Sequence, residues 1–554
     1  MDANVETDEY EREDPPLTIR TCWSWLRTHY FSCDACKRRI PFIQWLPGYE
    51  FEEFKGDLIA GLSVACTLIP QALGLALLAN LPITYGLYSS IFGPFVYAIF
   101  GSCKDCNIGP TAIQAIFAGY YVAIGGPNYA ILLTFFAALI QILVGLLSLD
   151  FIVDFFSFAV ISAFINAASL TVIVSQLPGF FGIPTTRARP PNCLLRLIDF
   201  FEDIPEISTL DTLLGCLCVL FILTIKFSGD HIREKWKDDY TVIEEEAEET
   251  EHQSLLRKLK RRPPKRVLKS IMHWITLARN LIIVILCAIV AYALRHSHPF
   301  RLTKHLKPGL PSFSPPQFSM NQTETYEGRT LRFVRSFGEI FQDLSPGWIL
   351  MPFLAALGAV SIPKAISTST QNPVPRRLLG NKIPVKNFDP SQEILTLGLA
   401  NLFGAFFKSF PVAISFSRSV IAHTSGVKTQ FNNIITGIIV LLALMPVVSP
   451  AFHYIPITTL SSVIICAVIL IIKPKDVVIA YRTNFVDFLL YLITFILTLT
   501  AGLAAGVLVG LILNLIILLT KITRPYVETK FARTPTEEGE QQFGFPYAII
   551  KPSQ

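Results

Sequence analysis

The chain has 554 residues, of which 51% are hydrophobic and only 16% are charged, and its formal net charge is +5. Soluble domains carry about 25% charged residues, so the composition excludes an ordinary soluble protein. It predicts an all-α, multi-pass membrane protein surrounded by lipid, and the small net charge gives no reason to expect a nucleic-acid partner.

Residues 1–56 are predicted to form a cytoplasmic N-terminal and interfacial segment. The first 16 residues are acidic and polar, and residues 17–49 mix aromatic side chains such as Trp23 and Trp25 with basic ones such as Arg38. Such a mixture is typical of a segment at the membrane surface. An apolar stretch of the signal-peptide type is absent from these residues.

Two sets of apolar segments follow, and we expect each set to be one repeat. The first, within 57–293, has segments near 57–78, 82–100, 108–125, 128–148, 155–176, 207–226 and 270–293. The second, within 346–521, has segments near 346–367, 392–407, 417–426, 430–448, 457–472, 485–501 and 502–521. Each set counts seven members, and its third is too short to cross alone. The pattern predicts 14 transmembrane segments in a 7+7 inverted repeat with half-helices at the third and tenth positions.

The polar connections predict the topology. The loop 227–269 contains an acidic run and then a basic run, and we place it in the cytoplasm. The loop 294–345 is then extracellular and holds the glycosylation sequon that begins at Asn321. A sequon implies the secretory pathway, and therefore the plasma membrane or an endomembrane such as the lysosome. Residues 522–554 are expected to be a cytoplasmic tail, with a closing strand near 545–552 that has no partner to pair with.

The tenth segment contains the residues that predict an anion site. A helix from Ser417 to the stop at Gly426 spans roughly 15 Å, about half of the ~30 Å hydrocarbon core. Its free N–H groups and dipole favour an anion, and Arg418 lies in its first turn, with Ser415 and Ser417 available for capping. The alternative is that Arg418 extends to the membrane surface. Two such N-termini, one from each repeat, would converge on a single anion.

Two other features have simpler explanations. The Cys-x-x-Cys pairs that begin at Cys33 and Cys103 have no histidine at ligand spacing, so we expect free thiols and neither a metal nor a cofactor. Gly502, Gly506 and Gly510 form a small-residue face for close helix packing, within the protomer or at a dimer seam.

The chain resembles the SulP anion transporters, known in animals as solute carrier family 26, over residues 41 to 552. The motifs that carry the likeness are Ile69-Pro-Gln-Ala-Leu73, Pro82-Ile-Thr-Tyr-Gly-Leu-Tyr-Ser89, Ile108-Gly-Pro-Thr-Ala112, Gln392-Glu-Ile-Leu-Thr-Leu-Gly-Leu-Ala-Asn401, Ser417-Arg-Ser419 and Ser425-Gly-Val-Lys-Thr-Gln430. The pieces 39–47 and 156–161 are most similar to the sodium-independent sulfate anion transporter branch.

The resemblance implies a core domain that moves against a gate domain, and a homodimer. It also implies an anion site formed by Gln71 and Leu75 in the first segment, Thr111 at the start of the third, and Ser417 and Arg418 at the tenth. Gln71 could instead bridge helices, and Leu75 could be core packing. Sulfate, chloride, bicarbonate and oxalate are the substrates that the family suggests.

The sequence departs from the family pattern at two places. Many relatives that move divalent anions or couple to protons have an acidic residue in the eighth segment, where this chain has Gly358. Without that acid the site lacks its obvious proton carrier, which favours exchange or passive flow over proton coupling. Relatives also carry a STAS domain after the last segment, and residues 547–552 look like the start of a truncated one.

We therefore predict a secondary active anion transporter that exchanges anions by alternating access through one midplane site. One alternative is an anion channel or a voltage-responsive, anion-gated protein on the same scaffold. Another is a partner subunit that does not transport, and a proton-coupled nucleobase permease could share the architecture. We expect no enzyme, because the sequence has no phosphate-binding loop, no nucleophile–base pair at useful spacing and no metal cluster.

Overall fold

A computed structural model describes residues 39–149, 157–184, 192–235, 264–296, 300–303, 309–326, 329–369, 377–378, 381–382, 389–469, 471–523, 526–535 and 541–551. Most of the predicted N-terminal segment 1–56 and most of the predicted loop 227–269 lie outside the described residues.

Helices make up most of the first half. Their bounds are α1 (Phe42–Trp45), α2 (Phe51–Leu78), α3 (Ile83–Ser89), α4 (Phe92–Phe100), α5 (Ala112–Gly125), α6 (Pro127–Leu146), α7 (Phe158–Phe180), α8 (Cys193–Glu202), α9 (Thr209–Lys235) and α10 (Pro264–Ala293). One short strand, β1 (Ile108–Gly109), precedes α5.

The second half has a similar succession. Its helices are α11 (Phe337–Asp343), α12 (Gly347–Ser369), α13 (Pro390–Ala405), α14 (Phe416–Thr424), α15 (Phe431–Ala443), α16 (Ile457–Ile469), α17 (Lys475–Thr483), α18 (Phe485–Thr500) and α19 (Leu503–Thr523). Its strands are β2 (Met320–Tyr326), β3 (Arg329–Arg335), β4 (Arg377–Leu378), β5 (Asn381–Lys382), β6 (Ala413–Ile414), β7 (Tyr526–Pro535) and β8 (Gln541–Lys551).

Six stretches of the described chain are helical, long and apolar enough to cross a membrane. They are Phe51–Leu78, Ile83–Phe100, Pro127–Leu146, Phe158–Phe180, Thr209–Gly229 and Gly347–Lys364. Six shorter apolar helices accompany them, among them Ala112–Gly125 and Phe431–Ala443. The fold is therefore that of a mostly helical, multi-pass membrane protein.

The predicted segment 82–100 is divided into α3 and α4. Pro94 is the third residue of α4, where its missing N–H falls among the first-turn amides that have no intrahelical acceptor. A proline at that position starts a helix more readily than it continues one, which explains why the chain turns at Ser90 and Ile91.

The helices associate in two groups. In the first group α13 packs on α6 and α4, α15 packs on α2 and α4, and α12 packs on α6 and α14. In the second group α7 contacts α16, α18 and α19, and α9 contacts α10 and α16. The two groups meet mainly where α10 and α16 pack against α2.

The description all-α is too strict, because the described residues include four two-stranded antiparallel sheets. The expectation that the closing strand lacks a partner is wrong. β8 pairs with β7, from Tyr526 opposite Lys551 to Pro535 opposite Gln541. The partner strand precedes β8 in the chain, at Tyr526–Pro535.

The glycine face of α19 packs inside the protomer. A Cβ at Gly506 would lie 2.0 Å from the Thr498 hydroxyl, and one at Gly510 would lie 2.6 Å from the Thr494 hydroxyl. Both threonines belong to α18, so the small residues allow α18 and α19 to approach closely.

Candidate functional site

The short helices α5 and α14 begin side by side because the strands before them pair. Ile108 lies opposite Ile414 and Gly109 opposite Ala413 in an antiparallel ladder. The chain leaves β1 through Pro110 into α5 and leaves β6 through Ser415 into α14. Residues more than 300 positions apart in the sequence thus bring two helix N-termini to one place in the first helical group.

Both N-termini keep their first-turn amides free of side-chain caps. Thr111 and Ser415 are the N-cap residues, each in an extended conformation, and neither side chain accepts a bond from its own first turn. The Ser415 hydroxyl instead lies 3.3 Å from the Ser417 hydroxyl. Unsatisfied first-turn N–H groups and the helix dipole leave about half a positive charge at each N-terminus. The two ends together are suited to an anion.

Arg418 lies inside the protein where the β1–β6 pair brings the N-termini of α5 and α14 together, a place we call the junction. Its side chain is 1% exposed. Nε donates to Asn107 Oδ1 at 3.0 Å, while Nη1 donates to the Pro110 carbonyl at 2.9 Å and to Gln71 Oε1 at 3.4 Å. The alternative in which Arg418 extends to the membrane surface is therefore wrong, because three internal acceptors hold the guanidinium.

The positive charge of Arg418 is not neutralised within the described part of the chain. Its acceptors are two amide side chains and a backbone carbonyl, and no described carboxylate lies within 4.0 Å of it. Nη2 is buried and has no hydrogen-bond partner among the described residues. A Cβ at Gly109 would lie 3.1 Å from Nη2, so the glycine leaves room beside this nitrogen. A buried cation of this kind is costly unless an anion compensates it.

Asn107 and Asn433 complete the network and were not found by sequence reasoning. Asn107 Nδ2 donates to Asn433 Oδ1 at 2.7 Å, and Asn433 Nδ2 donates to the Cys106 carbonyl at 3.1 Å. Both asparagines are fully buried. The available signal was a polar pair inside the apolar segment 430–448, together with an asparagine directly before the Ile108-Gly-Pro motif.

The structure brings together most of the residues that the sequence nominated. Gln71 contacts Arg418 directly, and Thr111 and Ser417 lie half-buried at the starts of α5 and α14. Leu75, one turn beyond Gln71, is buried in the hydrophobic cluster that also contains Ile108 and Ile414. Leu75 therefore belongs to the same apolar core as the strand pair.

Gly358 faces the same junction. It lies in α12, and a Cβ there would be 3.8 Å from the Ile414 carbonyl oxygen and 3.8 Å from Ile362 Cδ1. Both distances are ordinary van der Waals contacts, so a side chain at this position would have space beside β6. An acid at position 358 would place a negative charge beside β6, and glycine places none there.

Two buried carboxylates hold the segments on either side of this junction. Glu393 Oε1 accepts from the Ser102 and Cys103 amides at 2.9 and 3.1 Å, and its Oε2 accepts from the Tyr97 hydroxyl at 2.7 Å. Asp57 Oδ1 accepts from the Lys428 and Thr429 amides at 2.8 and 2.9 Å. Glu393 thus anchors the loop that leads to Asn107, and Asp57 anchors the loop that follows α14.

Comparison with known families places the chain among anion permeases. The model of the sulfate permease family matches residues 54–333 and 349–494. The sodium-independent sulfate anion transporter of Bos taurus is 31% identical over 476 residues, which cover 86% of this chain and 70% of the bovine protein.

Solved structures show the same fold. The murine solute carrier 26 family member A9, an anion transporter in its inward-facing state, superposes with a TM-score of 0.68 over 96% of this chain and 76% of its own. The transmembrane domain of the cyanobacterial bicarbonate transporter BicA gives 0.59 over 84% of this chain and 98% of its own. Both are 17% identical to the present sequence, so the similarity is one of fold.

Proposed function

The chain belongs to the sulfate permease family, and on that premise we propose that it is a secondary active transporter of small inorganic anions. Sulfate, which the name of the bovine relative specifies, is the first substrate to test, with chloride, bicarbonate and oxalate as the other candidates. Transporters, not enzymes, are the relatives that the chain matches.

The observation that carries the proposal is the unneutralised Arg418 at two converging helix N-termini. The anion would accept bonds from the first-turn amides of α5 and α14 and from the hydroxyls of Thr111 and Ser417. Arg418 would contribute its charge from behind the strand pair, with Nη2 as its remaining donor. Gln71 fixes the guanidinium, and Leu75 keeps water from the back of the site.

The architecture that we propose has 14 transmembrane segments in a 7+7 inverted repeat, with α5 and α14 as half-helices at the third and tenth positions. The first helical group is the core domain, which carries the site, and the second is the gate domain. Movement of the core along the gate would expose the anion alternately to the two sides of the membrane. The division of the helices into two groups supports such a movement.

Exchange is the proposed mode of transport. Proton coupling in a site of this design needs an acid near the anion, and α12 has Gly358 where its backbone approaches β6. An outgoing anion would then be the counter-ion that returns the loaded core across the membrane. The anion site would have a net positive charge at every working pH.

Several further properties are proposed, the first two on the family resemblance and the others on the sequon and the predicted topology. They are a homodimer, a tail at 522–554 that begins a STAS domain, cytoplasmic termini, glycosylation at Asn321, and residence in the plasma membrane or in an endomembrane such as the lysosome. Asn321 lies in the hairpin of β2 and β3, which is part of the predicted extracellular loop 294–345. A mobility shift after glycosidase treatment that disappears in Asn321→Gln would identify the glycosylated face.

Arg418→Gln tests the site. Removal of one charge from a buried anion site should weaken sulfate binding by about 3 kcal/mol, or roughly 100-fold in Kd. The measurement is calorimetric titration of the purified protein with sulfate. Arg482→Gln is the matched control, because Arg482 is exposed in α17 and bears the same charge.

Arg482→Gln should bind sulfate as the unmodified protein does, and Arg418→Gln should still elute as a folded species in gel filtration. Equal sulfate affinity in the two variants would refute the assignment of Arg418 to the site.

A further inference from the structure

Lys473 lies in the connector between α16 and α17 and has a fixed backbone. Asn166 of α7 accepts from the Lys473 amide at 3.0 Å and donates to its carbonyl at 3.5 Å. The same Asn166 amide group donates to the Tyr491 hydroxyl at 2.9 Å, so its orientation is set as well. Helix α7 of the second helical group therefore holds the backbone of Lys473 in place.

The side chain of Lys473 extends to the first helical group. Its ammonium nitrogen lies 5.9 Å from the centroid of the Phe416 ring. Phe416 is the first residue of α14, directly before Ser417 and Arg418, and its ring is 41% exposed. The lysine therefore places its charge beside the helix N-terminus to which the anion site has been assigned.

The charge of Lys473 is unpaired within the part of the chain that the structure describes. Asp476 is the nearest acid along the chain, and its carboxylate accepts from the Ser162 hydroxyl at 2.6 Å. No described carboxylate lies within 4.0 Å of the Lys473 ammonium. Contact with an aromatic face leaves the positive charge available to a further partner.

We propose that Lys473 is a specificity residue of the anion pathway, which supplies from the second helical group a second positive charge that favours divalent oxyanions over monovalent anions. This inference rests on the proposed anion site and adds a residue that sets its preference for divalent anions. One buried arginine with two helix ends attracts anions of either valence. A second cation at the mouth of the site attracts a ligand of charge −2 twice as strongly as a ligand of charge −1.

The valence dependence gives a quantitative signature. Coulomb energy is proportional to the charge of the ligand, so the fold-change for a divalent anion is the square of that for a monovalent one. Loss of a partly screened charge near the site should raise the Kd of chloride about threefold and that of sulfate about tenfold. A change in site geometry would carry no such relation between the two anions.

The experiment measures sulfate and chloride binding to the purified full-length protein by the anion-dependent rise in thermal midpoint, at constant ionic strength with gluconate as the replacement anion. The variants are Lys473→Gln, the charge-retaining Lys473→Arg, and Lys475→Gln as the matched control. Lys475 is an exposed lysine of α17 two residues away, with the same charge.

We expect Lys473→Gln to weaken both anions with the squared relation, and Lys473→Arg and Lys475→Gln to bind as the unmodified protein does. Equal fold-changes for sulfate and chloride, or an effect of Lys475→Gln equal to that of Lys473→Gln, would overturn the inference. Because the readout is binding, the result is separate from the proposed transport. If the protein binds anions with this signature but does not transport them, the role of Lys473 stands and the proposed transport function is wrong.

Discussion

At the scale of residues, the central feature is a buried positive charge that only neutral groups contact. Asn107, Gln71 and the Pro110 carbonyl orient the Arg418 guanidinium, but their dipoles do not cancel a unit charge. A buried charge in such an arrangement is costly as long as no anion compensates it. The hydrogen bonds therefore orient the guanidinium without neutralising it.

Gly358 gives the first residue-level prediction. A glutamate there would place a carboxylate beside β6, next to Ile414, where the space for a side chain exists. At neutral pH it would offset the charge of Arg418, and sulfate uptake by Gly358→Glu should fall at least fivefold by the same Coulomb reasoning. Below the pKa of the new acid the uptake should recover, so that transport becomes stimulated by protons.

The control is Gly358→Gln, which has the same size without the charge. Uptake of labelled sulfate by both variants at pH 5.5 and 7.5 separates the two effects. If Gly358→Gln shows the same dependence on pH as Gly358→Glu, position 358 does not communicate with the site through charge.

At the scale of elements, the site depends on short segments that long-range contacts hold in place. β1 and β6 have two residues each, and such a pair is too short to be stable alone. Glu393 at the start of α13 and Asp57 near the start of α2 provide the support, since each accepts several bonds from a loop that flanks the junction. The helix N-termini are thus supported by two buried carboxylates that are not among the candidate site residues.

Glu393→Ala tests this support. The substitution removes the acceptor for the Ser102 and Cys103 amides and for the Tyr97 hydroxyl, and each buried group left unsatisfied costs about 1–3 kcal/mol. We expect a thermal midpoint lower by several degrees and sulfate binding weakened several-fold, as the loop before Asn107 loosens. Glu206→Ala, at an exposed glutamate, is the control.

Glu393→Gln keeps an acceptor of similar shape and should recover much of the lost midpoint. Should Glu393→Ala melt at the temperature of Glu206→Ala, the carboxylate does not support the loop.

The helices that sequence predicted well are those whose signal is local. α2 ends at Leu78 and α10 ends at Ala293, as their apolar runs indicate, and Gly426 follows the end of α14 with a φ of +82°, a conformation that suits glycine. The break between α3 and α4 and the pairing of β7 with β8 were missed. Pro94 was a local signal for the first of these, whereas the pairing of two strands is a longer-range contact that periodicity does not specify.

The residues of the candidate site were named from the sequence and stay a prediction, whereas their contacts became visible only in the structure. Arg418 at the start of a short helix was sufficient to indicate an anion. Its acceptors Asn107 and Gln71 lie more than 300 positions away, and no spacing rule joins residues at such separation. The same limit applies to Lys473, whose proposed role rests on the approach of two helical groups that periodicity does not describe.

At the scale of the whole molecule, the two helical groups define what must move. The proposed anion site belongs to the first group, and Lys473 and Asn166, which bonds its backbone, belong to the second. A displacement of one group along the other would separate Lys473 from Phe416 and leave the β1–β6 pair intact. The proposed cycle therefore carries the site as a unit, and the lysine meets it on one side of the membrane only.

The most direct test of anion exchange is uptake of labelled sulfate into proteoliposomes that contain the purified protein. The comparison is between vesicles loaded with chloride and vesicles loaded with gluconate, each at pH 6.0 and pH 7.5 with and without an inward proton gradient. We predict rapid uptake only with a transportable anion inside, at a rate that the proton gradient does not change. Uptake driven by protons into gluconate-loaded vesicles would contradict the exchange mechanism and would require a proton carrier other than position 358.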